Sequence, residues 1–117
     1  MNRRLRLTSS IDFKRVRRTG KSLAHPLAVL VAVPTGRPGS RFGFTAGRAV
    51  GGAVQRNLAK RRLREALRPL MPRVVSGWDA ILIARPALLD ADWASVQAAI
   101  AGLLARAHLV ESDDRSA

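Results

Sequence analysis

The residues best suited to chemistry in this 117-residue chain are basic, and they are concentrated in the segment 56–64. Its five cations, with a sixth one turn later, are Arg56, Lys60, Arg61, Arg62, Arg64 and Arg68. Guanidinium forks pair with phosphate oxygens, and each such contact releases counterions condensed on a nucleic acid. Glu65 is the only acid in residues 53–70, so few of these charges can be neutralised locally. The segment therefore predicts a surface that binds a polyanion.

A helix from residue 53 to about residue 70, ended by Pro69 and Pro72, is predicted to carry these cations. At about 100° per residue, two sets of side chains separate by about 140°. The apolar set is Ala59, Leu63, Ala66, Leu67 and Leu70. The polar set is Asn57, Lys60, Arg61, Arg64 and Arg68. We expect the first set to pack on a sheet and the second to face phosphates, because an ordinary solvated helix mixes charges of both signs.

Three glycines, Gly47, Gly51 and Gly52, precede this helix. Backbone amides at a helix N-terminus hold anions, so one interpretation is a phosphate-binding loop. The spacing matches neither the dinucleotide nor the nucleoside-triphosphate pattern. That mismatch favours the other interpretation, in which the glycines supply tight turns.

Charge is distributed unevenly along the chain. Residues 1–64 hold 16 of the 21 basic residues and a single acid, Asp12. The net charge of +13 and the isoelectric point near 12.0 indicate a polyanionic partner, nucleic acid first and an anionic membrane second. The Ala and Leu face of the basic helix has no aromatic anchor, which argues against a membrane partner.

The sequence has no cysteine and no run of about 18 apolar residues. Disulfides and cysteine-based zinc sites are therefore excluded, and we expect no membrane span. The basic N-terminus is not followed by the apolar stretch of a secretion signal. A cytoplasmic location is expected.

Acidic and imidazole side chains are too scattered to predict an active site in the protein itself. Hydrolysis of a phosphodiester needs clustered carboxylates for metal ions, or a positioned acid and base. Asp12 is predicted to lie in the first turn of a helix, and His25 and His108 are far apart. Arg85 is expected to pair with Asp79 or to contact RNA. We expect no catalytic residue and no protein-bound metal.

The other patterns predict one domain, residues 1–117, with the order α-β-β-β-α-β-α. A first helix over residues 9–18 begins at Ser9 and ends before Gly20. After a short strand broken at Pro26, strands over 27–33 and 41–46 are expected to form an antiparallel pair.

The C-terminal half predicts a compact apolar strand that Pro86 ends, and then a helix capped by an Asp just before Trp93. Residues 111–117 are polar and expected to be frayed. One mixed sheet covered by helices makes this an α+β two-layer sandwich.

Four blocks of this chain, in the same order, resemble the protein subunit of bacterial ribonuclease P. They are RLRLTSSIDFKRVRRTG, RFGFTAGRAVGGAV, AVQRNLAKRRLRE and WDAILIARP. The third resembles the signature helix of that family, with Arg56, Asn57, Lys60, Arg61 and Arg64 in register. The match extends over nearly the whole chain.

The resemblance implies a fold like domain 2 of ribosomal protein S5, with the basic helix on an unusual left-handed crossover between parallel strands. It also implies a role. A catalytic RNA subunit removes the 5′ leader of precursor tRNA with Mg²⁺ bound mainly by RNA, and the protein assists without needing another protein partner.

The resemblance further implies two sets of contacts. The signature helix and the loop before it face the RNA subunit, through Arg48, Arg56, Asn57, Lys60, Arg61, Arg64 and Arg68. A cleft between the first helix and the sheet takes the leader, through Phe13, Lys14, Arg15, Arg17 and Val31.

The chain departs from the family pattern at several of these positions. Leu58 stands where the signature has its second Arg, and in the loop only Arg48 keeps a charge. Arg17, Ala28 and Val31 stand where aromatic residues are expected to line the cleft, and the chain has no Tyr. Stacking contributes about 1 to 3 kcal/mol per base. We therefore expect the leader to be held more by Arg17, Arg15 and Lys14, through phosphates or guanidinium stacking, and less by ring stacking.

Two other functions fit parts of the sequence. A structural RNA-binding protein, such as a small ribosomal protein, would also combine a basic helix with a mixed sheet. A self-sufficient nuclease would need clustered carboxylates, which this sequence lacks.

Overall fold

The computed structural model describes residues 5–110 and contains a mixed sheet and three α-helices. The helices are α1 (Ser10–Thr19), α2 (Ala53–Leu67) and α3 (Trp93–Arg106). The strands are β1 (Lys21–Ala24), β2 (Ala28–Pro34), β3 (Arg41–Ala46) and β4 (Trp78–Ala84). Short 3₁₀ turns occupy Arg48–Val50, Arg68–Arg73 and Pro86–Asp90. The predicted α+β class and element order are confirmed, while the tail at 111–117 lies outside the described residues.

Side chains cap two of the helices where the sequence predicted caps. The Ser9 hydroxyl accepts a hydrogen bond from the Asp12 backbone N–H at 3.4 Å. The Asp92 carboxylate accepts one from the Ser95 N–H at 2.8 Å. Each cap satisfies a backbone donor that the first helical turn leaves free, so these helix starts are encoded locally.

Helix α2 ends at Leu67, three residues earlier than predicted. The chain continues as the 3₁₀ turn Arg68–Arg73, which contains both Pro69 and Pro72. Proline has no N–H to donate to the preceding turn, so the α-helical ladder stops before the first of them. Leu70, expected on the apolar face, is half-buried in this turn.

The sheet has the order β1-β2-β4-β3. Strand β4 is antiparallel to β2 and parallel to β3, so the prediction that β2 and β3 pair with each other is wrong. The connection 35–40 passes over one strand, a step of about 10 Å that six extended residues easily span. Strand β4 is one of the two inner strands, and five of its seven residues are buried, as its apolar composition allows.

Helix α2 lies on the connection from β3 to its parallel neighbour β4, as the resemblance implies. A parallel pair needs such a crossover, since a tight turn joins only antiparallel strands. The left hand of the crossover stays a prediction.

The segment before α1 runs along the outer edge of β3. The Leu7 N–H donates to the Phe42 carbonyl at 2.8 Å, and Arg6 forms a parallel bridge with Phe42. The Leu7 side chain turns inward and is buried.

Helices α2 and α3 cover one face of the sheet. Alternate residues of β2, β3 and β4 point toward them and are buried: Ala28, Leu30, Ala32, Phe42, Phe44, Ala80, Leu82 and Ala84. The helices contribute Ala59 and Leu63 from α2 and Ile100 and Leu103 from α3. This apolar layer is the larger of two buried clusters and fixes the position of α2.

Helix α1 packs on the opposite face, where Val16 meets Val31 and Ile81 in the smaller buried cluster. The aromatic ring of Phe13 lies against the backbone of Gly43 in β3, in the space that a β-carbon at Gly43 would occupy. A β-carbon added to Gly20, at the end of α1, would likewise collide with Val31 and with the Val16 carbonyl. Small residues at these two contacts let the helix approach the sheet closely.

We expect Gly43→Ala to lower the free energy of unfolding by about 2 kcal/mol, because the new methyl group displaces the Phe13 ring from a packed contact. Denaturant unfolding measures the change. Gly102→Ala is the matched control, since nothing lies within 4 Å of its added β-carbon. It lies inside α3, so the control is expected to be as stable as the parent chain or more stable. Equal stability of the two variants would contradict the Phe13 contact.

Candidate nucleic-acid interface

The basic face of α2 is the first candidate surface, and we define it by Asn57, Lys60, Arg61 and Arg64 together with Arg68, which begins the turn after the helix. The opposite side of the helix is anchored by the predicted apolar residues, of which Ala59, Leu63, Ala66 and Leu67 are buried. A shallow depression of about 520 Å³ is lined by Val54, Asn57, Leu58, Lys60, Arg61 and Arg64. Core packing thus holds the cations outward along one side of the molecule.

Arg64 is the most constrained cation of this face. Its guanidinium lies over the Phe44 ring, 5.6 Å from the ring centroid, and its Nε is buried without a hydrogen-bond partner. Burial lowers the pKa of Arg64, and the positive charge of Arg6 lowers it further. An anion placed in the depression would offset both effects, since a buried donor left without an acceptor is costly.

Two neighbouring arginines make contacts within the protein. Arg68 pairs with Glu65 at 2.9 Å on the exposed surface, and Arg62 donates to the Leu89 carbonyl at 3.3 Å. Exposed ion pairs are weak, so phosphate can still compete for Arg68. Arg62 is turned toward the 3₁₀ turn after β4 and does not join the basic face.

Arg48 lies in the loop before α2, at the N-terminal end of the helix. Arg48 is exposed in a single 3₁₀ turn, and Gly51 after it has a φ of 144°. That backbone conformation favours glycine, and a β-carbon there would come within 2.9 Å of the Gln55 side chain. The turn interpretation therefore accounts for Gly51.

The second candidate surface is the face of the sheet that carries α1. Strand register arranges this face in three rows: Val33, Asp79 and Arg41; then Val31, Ile81 and Gly43; then Val29, Ile83 and Thr45. Helix α1 covers the first two rows. The third row is only partly buried, and we call it the open strip.

Helical periodicity divides the side chains of α1 around Val16, which faces the sheet. At about 100° per residue, Asp12 and Arg15 lie on one flank, and Phe13 and Arg17 lie on the other. Asp12 and Arg15 contact the first row, so the flank of Phe13 and Arg17 faces the open strip. This flank and the open strip together form a candidate cleft.

The residues predicted for a leader cleft occupy different places. Arg17 and Lys14 are exposed on α1, and Phe13 is partly buried against the sheet. Val31 is 6% exposed, so it supports the cleft from beneath α1. Arg15 lies on the flank away from the open strip.

The expectation that the side chain at position 28 lines the cleft is wrong. The Ala28 side chain is fully buried against α2 and α3, on the face opposite α1. An aromatic residue there would enlarge the core and leave the cleft unchanged. Val29, one residue later and on the other face, belongs to the open strip instead.

An ion-pair network of Asp12, Arg15, Arg41 and Asp79 joins α1 to the sheet. The carboxylate of Asp79 accepts hydrogen bonds from Arg15 at 2.6 Å and from Arg41 at 2.8 and 3.0 Å. Asp12 lies 3.3 Å from Arg15 and 3.5 Å from Arg41. The Asp79 side chain is 2% exposed and already bound to two other arginines, so the Arg85–Asp79 pair, one of two alternatives for Arg85, is wrong. Contact of Arg85 with RNA stays a prediction.

Sequence reasoning missed Arg41 and Asp79 as partners. Burial by itself would raise the pKa of Asp79, but hydrogen bonds from Arg41 and Arg15 outweigh that effect and lower it. The one signal in the sequence was an acid inside an apolar strand, since a buried charge needs a partner.

Residues 5–110 offer neither a metal-binding cluster nor a helix that could span a membrane. No cluster of three or more His, Cys, Asp or Glu side chains there is arranged to hold a metal ion. None of the helices in that range is long and apolar enough to cross a membrane.

Comparison with known proteins gives one consistent family. The sequence profile described as Ribonuclease P matches residues 1–108. The ribonuclease P protein component of Chloroflexus aurantiacus is 42% identical over 111 residues, covering 94% of this chain and 82% of the relative. That of Symbiobacterium thermophilum is 42% identical over 115 residues, covering 97% and 99%.

Solved structures agree with the sequence relatives. The RNase P protein of Staphylococcus aureus superimposes with a TM-score of 0.82 at 26% identity, covering 92% of this chain and 98% of that one. The Thermotoga maritima protein gives 0.77 at 30% identity, covering 86% and 96%. A second S. aureus structure, a mutant described as defective in mRNA degradation activity, gives 0.82 at 27% identity, covering 91% and 90%.

Replacing Asp79 with Asn is expected to make folding stability less sensitive to acid. A native carboxylate with a lowered pKa stabilises the fold above about pH 4 and loses that stabilisation as the pH falls further. The parent chain should exceed Asp79→Asn by about 2 kcal/mol at pH 7, with the difference shrinking below pH 4. Urea unfolding from pH 7 to pH 3 measures it, and a constant difference would contradict the ionised network.

Proposed function

The chain belongs to the ribonuclease P protein family, and on that premise we propose how it serves the enzyme: it binds the catalytic RNA through the basic face of α2 and holds the 5′ leader of precursor tRNA beside α1. As a protein component of ribonuclease P, it is a subunit of a tRNA-processing ribonuclease. The two surfaces lie on opposite faces of one sheet, so the RNA subunit and the leader can be bound together.

The observation that carries this proposal is the state of Arg64. Its partly buried guanidinium has a donor without an acceptor, and Lys60 and Arg61 line the same depression. A phosphate backbone supplies acceptors and negative charge at once. With about five phosphates neutralised, affinity for RNA falls roughly 10² to 10³-fold between about 50 and 200 mM salt.

The leader is proposed to lie along the open strip. Single-stranded RNA is held by cations on its phosphates and by flat or apolar surfaces under its bases. Arg17 supplies the cation, the exposed part of Phe13 supplies a ring, and Val29 and Ile83 supply an apolar floor. Fewer rings than usual in the family leave a larger share of the binding to charge.

Catalysis in this proposal belongs to the RNA subunit, with Mg²⁺ held mainly by RNA and no catalytic residue in the protein. The protein acts by adding fixed positive charge where two RNAs meet. Such charge replaces counterions that would otherwise have to be concentrated there, which lowers the Mg²⁺ needed to hold precursor tRNA. The work takes place in the cytoplasm, and no further protein is required.

The deciding experiment measures precursor tRNA cleavage at low Mg²⁺ by a bacterial ribonuclease P RNA with this protein, by that RNA alone and by the protein alone. We expect cleavage to be stimulated only in the mixture. RNA binding without stimulation would instead favour a structural RNA-binding protein. Cleavage by the protein alone would favour a nuclease, an arm that the mRNA degradation activity named for the S. aureus relative makes worth including.

Arg56 lies on α2 about 40° from Lys60 around the helix, at the edge of the basic face. Arg56→Ala combined with Lys60→Ala is expected to weaken binding to the RNA subunit and to reduce its salt dependence. The slope of log affinity against log salt is negative, and each lost phosphate contact reduces its magnitude by about 1. The double variant should therefore reduce it by about 2. Filter binding from about 50 to about 300 mM salt measures the slope, because ionic screening changes strongly over this range.

Arg37→Ala combined with Arg106→Ala is the matched control for this measurement. It removes the same charge from exposed positions away from the α2 basic face. The control should keep the parent slope. If both double variants reduce the slope equally, binding depends on net charge and the assignment to α2 is wrong.

A further inference from the structure

The ion-pair network neutralises the charge on only one flank of α1. It contains two acids and two bases, so the flank of α1 that carries Asp12 and Arg15 has no net charge. The other flank carries Arg17, and it faces the open strip. Arg15 on one side of the helix is thus already paired with carboxylates, whereas Arg17 on the other side is available to bind phosphate.

The network also supplies the directional contacts between α1 and the sheet. Val16 and Phe13 make apolar contacts, which hold the helix down but specify its rotation poorly. Hydrogen bonds between guanidinium and carboxylate groups are strong and depend on direction. Asp79 sits in the middle of the first row beside Arg41, so its bond to Arg15 ties α1 to a fixed point on the central strand.

We propose that Asp79, Arg41 and Arg15 are positioning residues that set the rotation of α1 and thereby the width of the cleft beside the open strip. Arg15 then acts on the leader through Asp79 and does not contact it. The inference rests on the proposed function, because the leader is the ligand whose binding reports the width of the cleft.

Asp79→Asn tests this proposal, because a positioning role and simple electrostatics predict opposite changes in RNA binding. The change removes a negative charge and keeps every cation, so electrostatics alone would strengthen RNA binding. An amide nitrogen cannot accept the bonds that one carboxylate oxygen takes from both arginines. We expect the ratio of affinities for precursor and mature tRNA, measured on the assembled ribonucleoprotein, to fall about fivefold.

Asp90→Asn is the control, because it makes the same charge change at an exposed position in the turn after β4. It should leave the ratio within about twofold. Affinity for the RNA subunit should change little in either variant, since both leave α2 intact. A ratio that is unchanged or higher in Asp79→Asn overturns the inference.

Arg15→Met guards against the chance that Asp79→Asn unfolds the protein, because it leaves the two bonds between Arg41 and Asp79 in place. Arg15→Met alone should lower the ratio, and adding it to Asp79→Asn should lower the ratio no further, since Arg15 acts only through the Asp79 carboxylate. Arg17→Ala, a direct contact in the proposal, should add its effect to either. Full additivity of Arg15→Met with Asp79→Asn would show that Arg15 touches the leader itself.

The parent protein separates this inference from the function on which it rests. If the parent ribonucleoprotein does not prefer precursor over mature tRNA, the proposed leader site is wrong, and the positioning role falls with it. If the parent shows the preference and the network variants keep it, the leader site stands and only the positioning role is wrong.

Discussion

Strand β4 is the constraint on which the rest of the molecule depends. Its hydrogen bonds hold β2 on one side and β3 on the other, and its two faces serve different layers. Ala80, Leu82 and Ala84 face the layer that anchors α2, whereas Asp79 and Ile81 face α1. A single apolar strand therefore separates the two candidate RNA surfaces and fixes the distance between them. A shift of one residue in its register would exchange these faces and remove both surfaces together.

The local parts of this architecture could be predicted because their causes are local. The spacing of Ala59, Leu63 and Ala66 assigns the buried side of α2, and hydroxyl or carboxylate caps mark helix starts at Ser9 and Asp92. Strand neighbours could not be predicted in the same way. Two apolar runs joined by a short loop are compatible with a hairpin, or with a gap that a third strand fills.

 The inserted strand, β4, begins at Trp78, long after β3 ends at Ala46, and nothing within the two runs marks the gap that it fills.

The candidate site shows the same division between local and distant causes. The cations of α2 follow from helical spacing, because one element carries all of them. Asp79 is 38 residues from Arg41 and 64 from Arg15, so no periodic pattern connects them. Arg15, which is expected to lie in the leader cleft, bonds to a buried carboxylate that the sequence does not mark as its partner. Formal charge overstates the number of cations available to RNA, since Arg15, Arg41 and Arg62 are already bound within the protein.

The segment along β3 has a consequence for the protein before it meets RNA. A strand at the edge of a sheet exposes unpaired backbone groups that can template the addition of a strand from another molecule. Leu7 already occupies a carbonyl on the outer side of β3 through its bond to Phe42. At the other edge, β1 is four residues long and begins with Lys21, and short, charged edges resist such pairing. Newly made copies are thereby protected from aggregating with one another through their sheets.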